Sequence, residues 1–131
     1  MITANIKAVV PGSVRRVWDT VTAVERYSWR SDLSRTGRLS ESWFIEYTRS
    51  GYAPAFNVTA AEPGARWELE LENDAIKGRW TGIFTDRGGE TEIDFTEQIT
   101  AKRFCPGFLL RLYLKRQQAR FVSDLKRALA P

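Results

Sequence analysis

The alternation of apolar and polar residues between Arg66 and Ala101 can be followed almost residue by residue. In RWELELE the bulky residues Trp67, Leu69 and Leu71 alternate with Glu68, Glu70 and Glu72, and IKGRWTGIFTD and ETEIDFTEQIT keep the same period of two. That period predicts three consecutive half-buried strands, with Glu97 in phase with Ile93 and Phe95 on the apolar side. Ile2, Ala4, Ile6, Ala8 and Val10 alternate with polar neighbours in a further strand, which Pro11-Gly12 ends. Ser13 is a good N-cap for a short helix in which Val14, Val17, Trp18 and Val21 recur at helical spacing, and a second helical turn is expected over residues 24–29. Strands follow over residues 33–39, 43–48 and 55–61, with a turn at Ser50-Gly51 and a stop at Pro63-Gly64. One long helix is expected from about Pro106 to Leu129, its stripe formed by Leu110, Leu114, Gln117, Phe121, Leu125 and Leu129 and widened by Gln118 and Val122.

Charge fixes the register of the central strands. If Glu72 faces Lys77, then Glu70 faces Arg79 and Glu68 faces Thr81, so opposite charges meet on the outer face. The inner face then sets Leu69 opposite Trp80 and Trp67 opposite Gly82. A turn at Gly88-Gly89 matches Phe84 with Ile93, Gly82 with Phe95 and Trp80 with Glu97. A glycine between Trp67 and Phe95 marks a bend, relief of crowding, or space for something to approach.

The size and composition, 131 residues with 43% hydrophobic and 27% charged side chains, fit a single domain over residues 1–131. No apolar run is long enough to span a membrane and no secretory signal pattern begins the chain, so a cytoplasmic location is the default expectation. The chain has no histidine and one cysteine, which removes the usual zinc sites, Ser-His and Cys-His nucleophiles, and histidine acid/base chemistry. No metal or cofactor is expected. Cys105 is expected to be a buried, inert thiol. Residues 1–101 carry 12 basic and 15 acidic side chains, whereas residues 102–131 carry 8 basic ones and only Asp124. The positive charge sits on the last helix, including Arg111, Lys115, Arg116, Arg120, Lys126 and Arg127. That face is either simply solvated or docks on an anionic membrane surface or an acidic protein. Nucleic acid is not expected as a partner, because the basic residues lack interleaved aromatics.

The order of elements, together with VPGSVRRVWDTVTAVERYSWRSD, FNVTAAEPGARWELE, GRWTGIFTDRGGETEIDFTE and YLKRQQARFVSDLKRAL, resembles the START-like (Bet v 1-like, SRPBCC) superfamily, which includes polyketide cyclases and dehydratases. The resemblance covers essentially the whole chain. It implies an α+β helix-grip fold: an antiparallel sheet of about seven strands around a long C-terminal helix, with two short helices after the first strand. It also implies a hydrophobic cavity between helix and sheet. The candidates for its lining are Trp67, Leu69, Trp80, Gly82, Phe84 and Phe95, then Phe56, Val58 and, in one of two orientations of its strand, Tyr47, with Leu110, Leu114, Gln117 and Phe121 from the helical stripe.

The candidate chemistry lies on Glu97, Glu46 and Tyr113. Glu97 beside Trp80 and Phe95 is either a desolvated acid with a raised pKa or the partner of Arg30, or of a basic residue of the last helix, in a buried ion pair. WFIEYT fits two orientations, with Trp43, Ile45 and Tyr47 inward or with Phe44, Glu46 and Thr48 inward, so Glu46 competes for the interior role. Tyr47 or Tyr113 would offer a phenol, and Arg30 in WRSD a carbonyl or carboxylate contact. Asp32 reads as the start of a strand or a turn cap. FCPGFLLR is either a gate that touches a membrane or an ordinary connection whose Phe and Leu side chains plug the core. The leading functional expectation is binding, or transport, of a small hydrophobic or amphipathic ligand such as a lipid, quinone or polyketide-like molecule. The alternatives are a cyclase or dehydratase using a cavity glutamate as acid/base, and a protein-interaction module of the chaperone-activator type.

Overall fold

A computed structural model describes all residues, Met1–Pro131. The chain runs β1 (Ile2–Pro11), α1 (Val14–Thr22), β2 (Leu33–Arg38), β3 (Trp43–Thr48), β4 (Ala55–Glu62), β5 (Arg66–Glu72), β6 (Ile76–Asp86), β7 (Glu90–Ala101) and α2 (Gly107–Leu129). The strands form one antiparallel sheet in the order β1-β7-β6-β5-β4-β3-β2, a meander from β2 to β7 with β1 added beside β7. This is the helix-grip α+β arrangement expected from the sequence.

The central register follows the charge pattern. Glu72 pairs with Lys77, Glu70 with Arg79 and Leu69 with Trp80. On the next ladder Gly82 lies opposite Phe95 and Trp80 opposite Glu97. Because side chains alternate across a strand, this register sends Trp67, Leu69 and Leu71 inward, where all three are buried.

One expected element is absent. Residues 24–29 form separate turns rather than a second helix, with backbone bonds from Arg26 N to Ala23 O and from Arg30 N to Tyr27 O. The physical reason is competition from outside the segment. The Thr36 hydroxyl donates to the Val24 carbonyl at 3.0 Å, and Asp124 Oδ2 accepts from both the backbone N and the hydroxyl of Ser31 at 2.8 Å. Those bonds satisfy groups that a helical turn would otherwise have paired internally.

Helix α2 lies on the inner face of the sheet, and its buried residues are Leu110, Leu114, Gln118, Val122, Asp124, Leu125 and Leu129. The stripe is thus rotated toward Gln118, leaving Gln117 and Phe121 half-buried. Gln118 Nε2 donates to the Ala4 carbonyl at 3.0 Å and to Phe95 O at 3.4 Å, while Lys115 bonds to Asn5 O. These contacts tie the helix to β1 and β7. Asp124 is 2% exposed. Burial pushes its carboxyl pKa up, but the Ser31 and Arg127 hydrogen bonds outweigh that and hold it below the ordinary aspartate value.

The apolar interior divides in two. The larger part joins Val10, Val17, Trp18, Phe44, Phe84, Ile93 and Leu125, among others. The smaller joins Ala4, Leu71, Ile99, Leu110 and Leu114. No helix is long and apolar enough to cross a membrane.

Candidate functional site

Between α2 and the sheet lies a cavity of about 160 Å³ that borders both parts of the core. Its walls are mainly aromatic and aliphatic: Trp67, Leu69, Leu71, Trp80 and Phe95 from the central strands, Phe44 and Phe56 from β3 and β4, and Leu114 and Phe121 from α2. Trp29, Val21 and Val24 close it from the side of α1. Of the residues named from the sequence, Phe56, Trp67, Leu69, Trp80, Phe95, Leu114, Gln117 and Phe121 border this cavity.

Five expected lining residues lie elsewhere. Tyr47 points to the outer face, where the Arg35 guanidinium stacks 3.9 Å from its ring centre. The buried Phe44, 1% exposed, fixes the orientation of β3, so Glu46 and Thr48 face inward with it. Phe84 is enclosed by core, edge-on to Trp18 and Phe95. Val58 packs against the larger core and Leu110 belongs to the smaller. Gly82 leaves no space for a ligand, because the Trp80 indole lies across it: a Cβ there would come within 2.5 Å of the ring. Cys105, expected to be buried, is exposed.

One end of the cavity is charged. Arg30, 12% exposed, reaches two carboxylates at once. Its Nε and Nη2 donate to Asp32 at 3.0 Å each, and Nη1 and Nη2 donate to Glu46 at 3.2 and 3.4 Å. The guanidinium also sits 4.6 Å from the Phe121 ring centre and 5.7 Å from that of Trp29. Burial alone would weaken its proton affinity, but Glu46 and Asp32 overcome this and hold it protonated. Sequence reasoning left Asp32 and Trp29 outside the site. The available signal was WRSD itself, an arginine two residues from an acid beside a large aromatic.

Glu97 borders the same cavity without a hydrogen bond or ion pair to Arg30. The ion pair weighed for Arg30 goes instead to Asp32 and Glu46. Burial, reinforced by the nearby Glu46 carboxylate and only partly offset by Arg30, pushes the Glu97 pKa up to about 7. Tyr113 and Gln117 complete the rim. The Tyr113 phenol is also raised, chiefly by burial. Gln118 lines the cavity as well and is 4% exposed, and its Oε1 has no donor.

Beside the rim, the segment into α2 is apolar and uncovered. Phe104 is 96% exposed and Phe108 74%, with Leu109 and Leu112 also open to solvent. Only Leu110 of this stretch turns into the core.

No family model matches the chain, and no curated protein is similar to it in sequence. Solved structures are similar in fold. A START superfamily protein from Mycobacterium smegmatis superposes with a TM-score of 0.88 at 14% identity, covering 97% of this chain and 96% of that one. DynU16, a protein of the dynemicin biosynthetic locus, gives 0.79 at 18% identity over 98% of this chain and 47% of its own length. An Aha1 protein from Colwellia psychrerythraea, solved as a dimer, gives 0.77 at 16% identity over 98% of this chain and 96% of that one.

The raised Glu97 carboxyl has a thermodynamic signature. The folded protein holds this proton more tightly than the unfolded chain, whose carboxyl titrates near 4.5. Its contribution to stability is therefore complete below about pH 4.5 and is lost as pH rises to about 7, a change on the order of 3 kcal/mol. Denaturant unfolding across this window is expected to show wild-type stability falling with pH and Glu97→Gln nearly flat. Parallel curves would remove Glu97 as the cause. The chain thus shares the helix-grip fold of these solved structures.

Proposed function

We propose that this protein binds a small apolar or amphipathic molecule in the cavity between α2 and the sheet. The observation that carries the reading is the union, in one cavity, of aromatic walls with a charged cluster at one end. Apolar burial would supply affinity and the polar end would set orientation. A volume of about 160 Å³ lies below the roughly 300–1,000 Å³ typical of drug-sized sites, which argues for a compact ligand over a whole membrane lipid.

Acid/base catalysis in the same cavity is the second reading, and the carboxyl of Glu97 titrating at about 7 favours it. A general acid or base works best when its pKa lies near the working pH. The cyclase or dehydratase activity considered from the sequence would use this group on an enolisable substrate.

The exposed Phe104 and Phe108, next to Arg111, Lys115 and Arg116 on α2, support contact with an anionic membrane surface during uptake or release of the ligand. Apolar side chains would insert at the headgroup boundary while the cations meet phosphates.

Binding is read directly by native mass spectrometry of protein isolated without detergent, and by quenching of Trp29, Trp67 and Trp80 on titration with small aromatic probes. Gln117→Trp, which fills the rim, is expected to weaken probe binding about tenfold or more while the fold stays intact. Equal binding by this variant would move the ligand out of the cavity. Under the catalytic reading, Glu97→Gln loses turnover while still binding a neutral substrate; retained turnover would end that reading. Sedimentation with phosphatidylserine-containing vesicles is expected to retain wild-type protein and to release Phe104→Ser/Phe108→Ser. Equal behaviour of the two proteins, or equal retention on purely zwitterionic vesicles, would remove the membrane contact.

A further inference from the structure

The charges that line the cavity do not balance. Arg30 is its only basic residue, against the carboxylates of Asp32, Glu46 and Glu97. Arg30 is already committed to Asp32 and Glu46 through four hydrogen bonds, and Trp29 and Phe121 lie against its guanidinium. One guanidinium between two carboxylates leaves one negative charge, and Glu97 adds another when ionised. The remaining cations of the C-terminal segment are outside the cavity.

Hydrogen-bond donors are short as well. Gln118 Nε2 is committed to the Ala4 and Phe95 carbonyls, which fixes the orientation of the amide and leaves Oε1 buried without a donor. Glu97, on the same cavity, accepts no hydrogen bond and pairs with no cation. Buried acceptors without donors are costly, so a ligand that completes this site brings donors. Trp80, opposite Glu97 in the β6–β7 register, lines the same cavity with Trp29, Trp67 and Phe95, and aromatic faces favour cations.

We infer that the ligand of this cavity carries a basic nitrogen on a compact apolar body, with Glu97 as its counter-ion and the aromatic walls around the rest. The inference rests on the proposed binding function and narrows it. A fatty acid or other carboxylate would face three carboxylates. A neutral ketone or quinone would leave the negative charge of the cavity unbalanced. An ammonium group supplies three donors and one positive charge to a site whose single cation is outnumbered by carboxylates.

The pH dependence has a definite sign. The ionisable groups around Glu97 are Glu46 from β3, Arg30 and Asp32 from the segment between α1 and β2, and Tyr113 from α2; its neighbours across the ladders, Trp80 on β6 and Ala4 on β1, carry no charge. A primary amine stays protonated to about pH 10. Its affinity therefore rises as Glu97 ionises on passing upward through neutrality.

The test compares three probes of similar shape, 2-phenylethylamine, 2-phenylethanol and 3-phenylpropionate, by tryptophan quenching and calorimetry at about pH 8 and about pH 5.5. The amine is expected to bind wild-type protein about tenfold or more tightly than the alcohol at the higher pH, with the carboxylate weakest. That preference is expected to shrink at the lower pH and in Glu97→Gln, whose affinity for the alcohol is retained. Equal affinity for amine and alcohol, or preference for the carboxylate, would overturn the inference and leave the binding cavity standing. Binding of none of the three would overturn the inference and the cavity reading together. The pH series on the wild-type protein alone decides the matter if Glu97→Gln does not fold: an amine affinity that stays flat or falls as pH rises would overturn the assignment.

Discussion

Arg30 is buried between Asp32 and Glu46, and the course of the chain from α1 to β3 follows from satisfying that one charge. Removing a guanidinium from water costs several kcal/mol, and only close carboxylates and aromatic faces offset it. Asp32 is two residues away and comes with the same turn. Glu46 arrives from β3, whose orientation is set by Phe44 in the core. Trp29 and Phe121 pack near the guanidinium, joining the turn to α2. Asp124 holds the backbone and hydroxyl of Ser31, so α2 fixes the residue next to Arg30 directly. The charged end of the cavity is a junction of three elements.

That junction explains which parts of the structure the sequence could reveal. Alternation in β5, β6 and β7 is a local signal, and complementary charges at Glu72–Lys77 and Glu70–Arg79 pin the register, so the position of Glu97 beside Trp80 could be read from the chain. The turns of residues 24–29 were misread as a helix because their conformation is decided by Thr36 and Asp124, groups distant in the chain. In β3 both faces carry an aromatic residue, so period alone could not choose between Glu46 and Tyr47. Tertiary contact chose, burying Phe44 and giving Tyr47 to Arg35. Gly82 was legible as unusual, but its reason, the indole of Trp80 lying over it, requires a side-chain orientation that alternation does not contain.

The fold comparisons sharpen the same distinction. Proteins with 14–18% identity share the path of the backbone over nearly the whole chain. Residues that define the cavity chemistry, Arg30, Asp32, Glu46, Glu97 and Gln118, sit on that path without being required by it. A sheet gripping a helix encloses space whenever the inward side chains do not fill it, and the few polar groups admitted to that space decide what belongs there.

The pairing of β1 with β7 also dictates when the cavity comes into being. Ile2 meets Ile99 across almost the full chain, while every other strand pairs with its neighbour in sequence. A nascent chain can assemble the meander from β2 onward, but its first strand waits for the last, and α2 follows only after that. Such long-range closure slows folding and leaves the apolar face of β1 uncovered in the interim. The two carbonyl contacts of Gln118, to Ala4 on β1 and Phe95 on β7, straddle this late seam. The cavity thus depends on the last element of the chain, and a chain truncated before α2 would have the aromatic sheet without the wall that covers it.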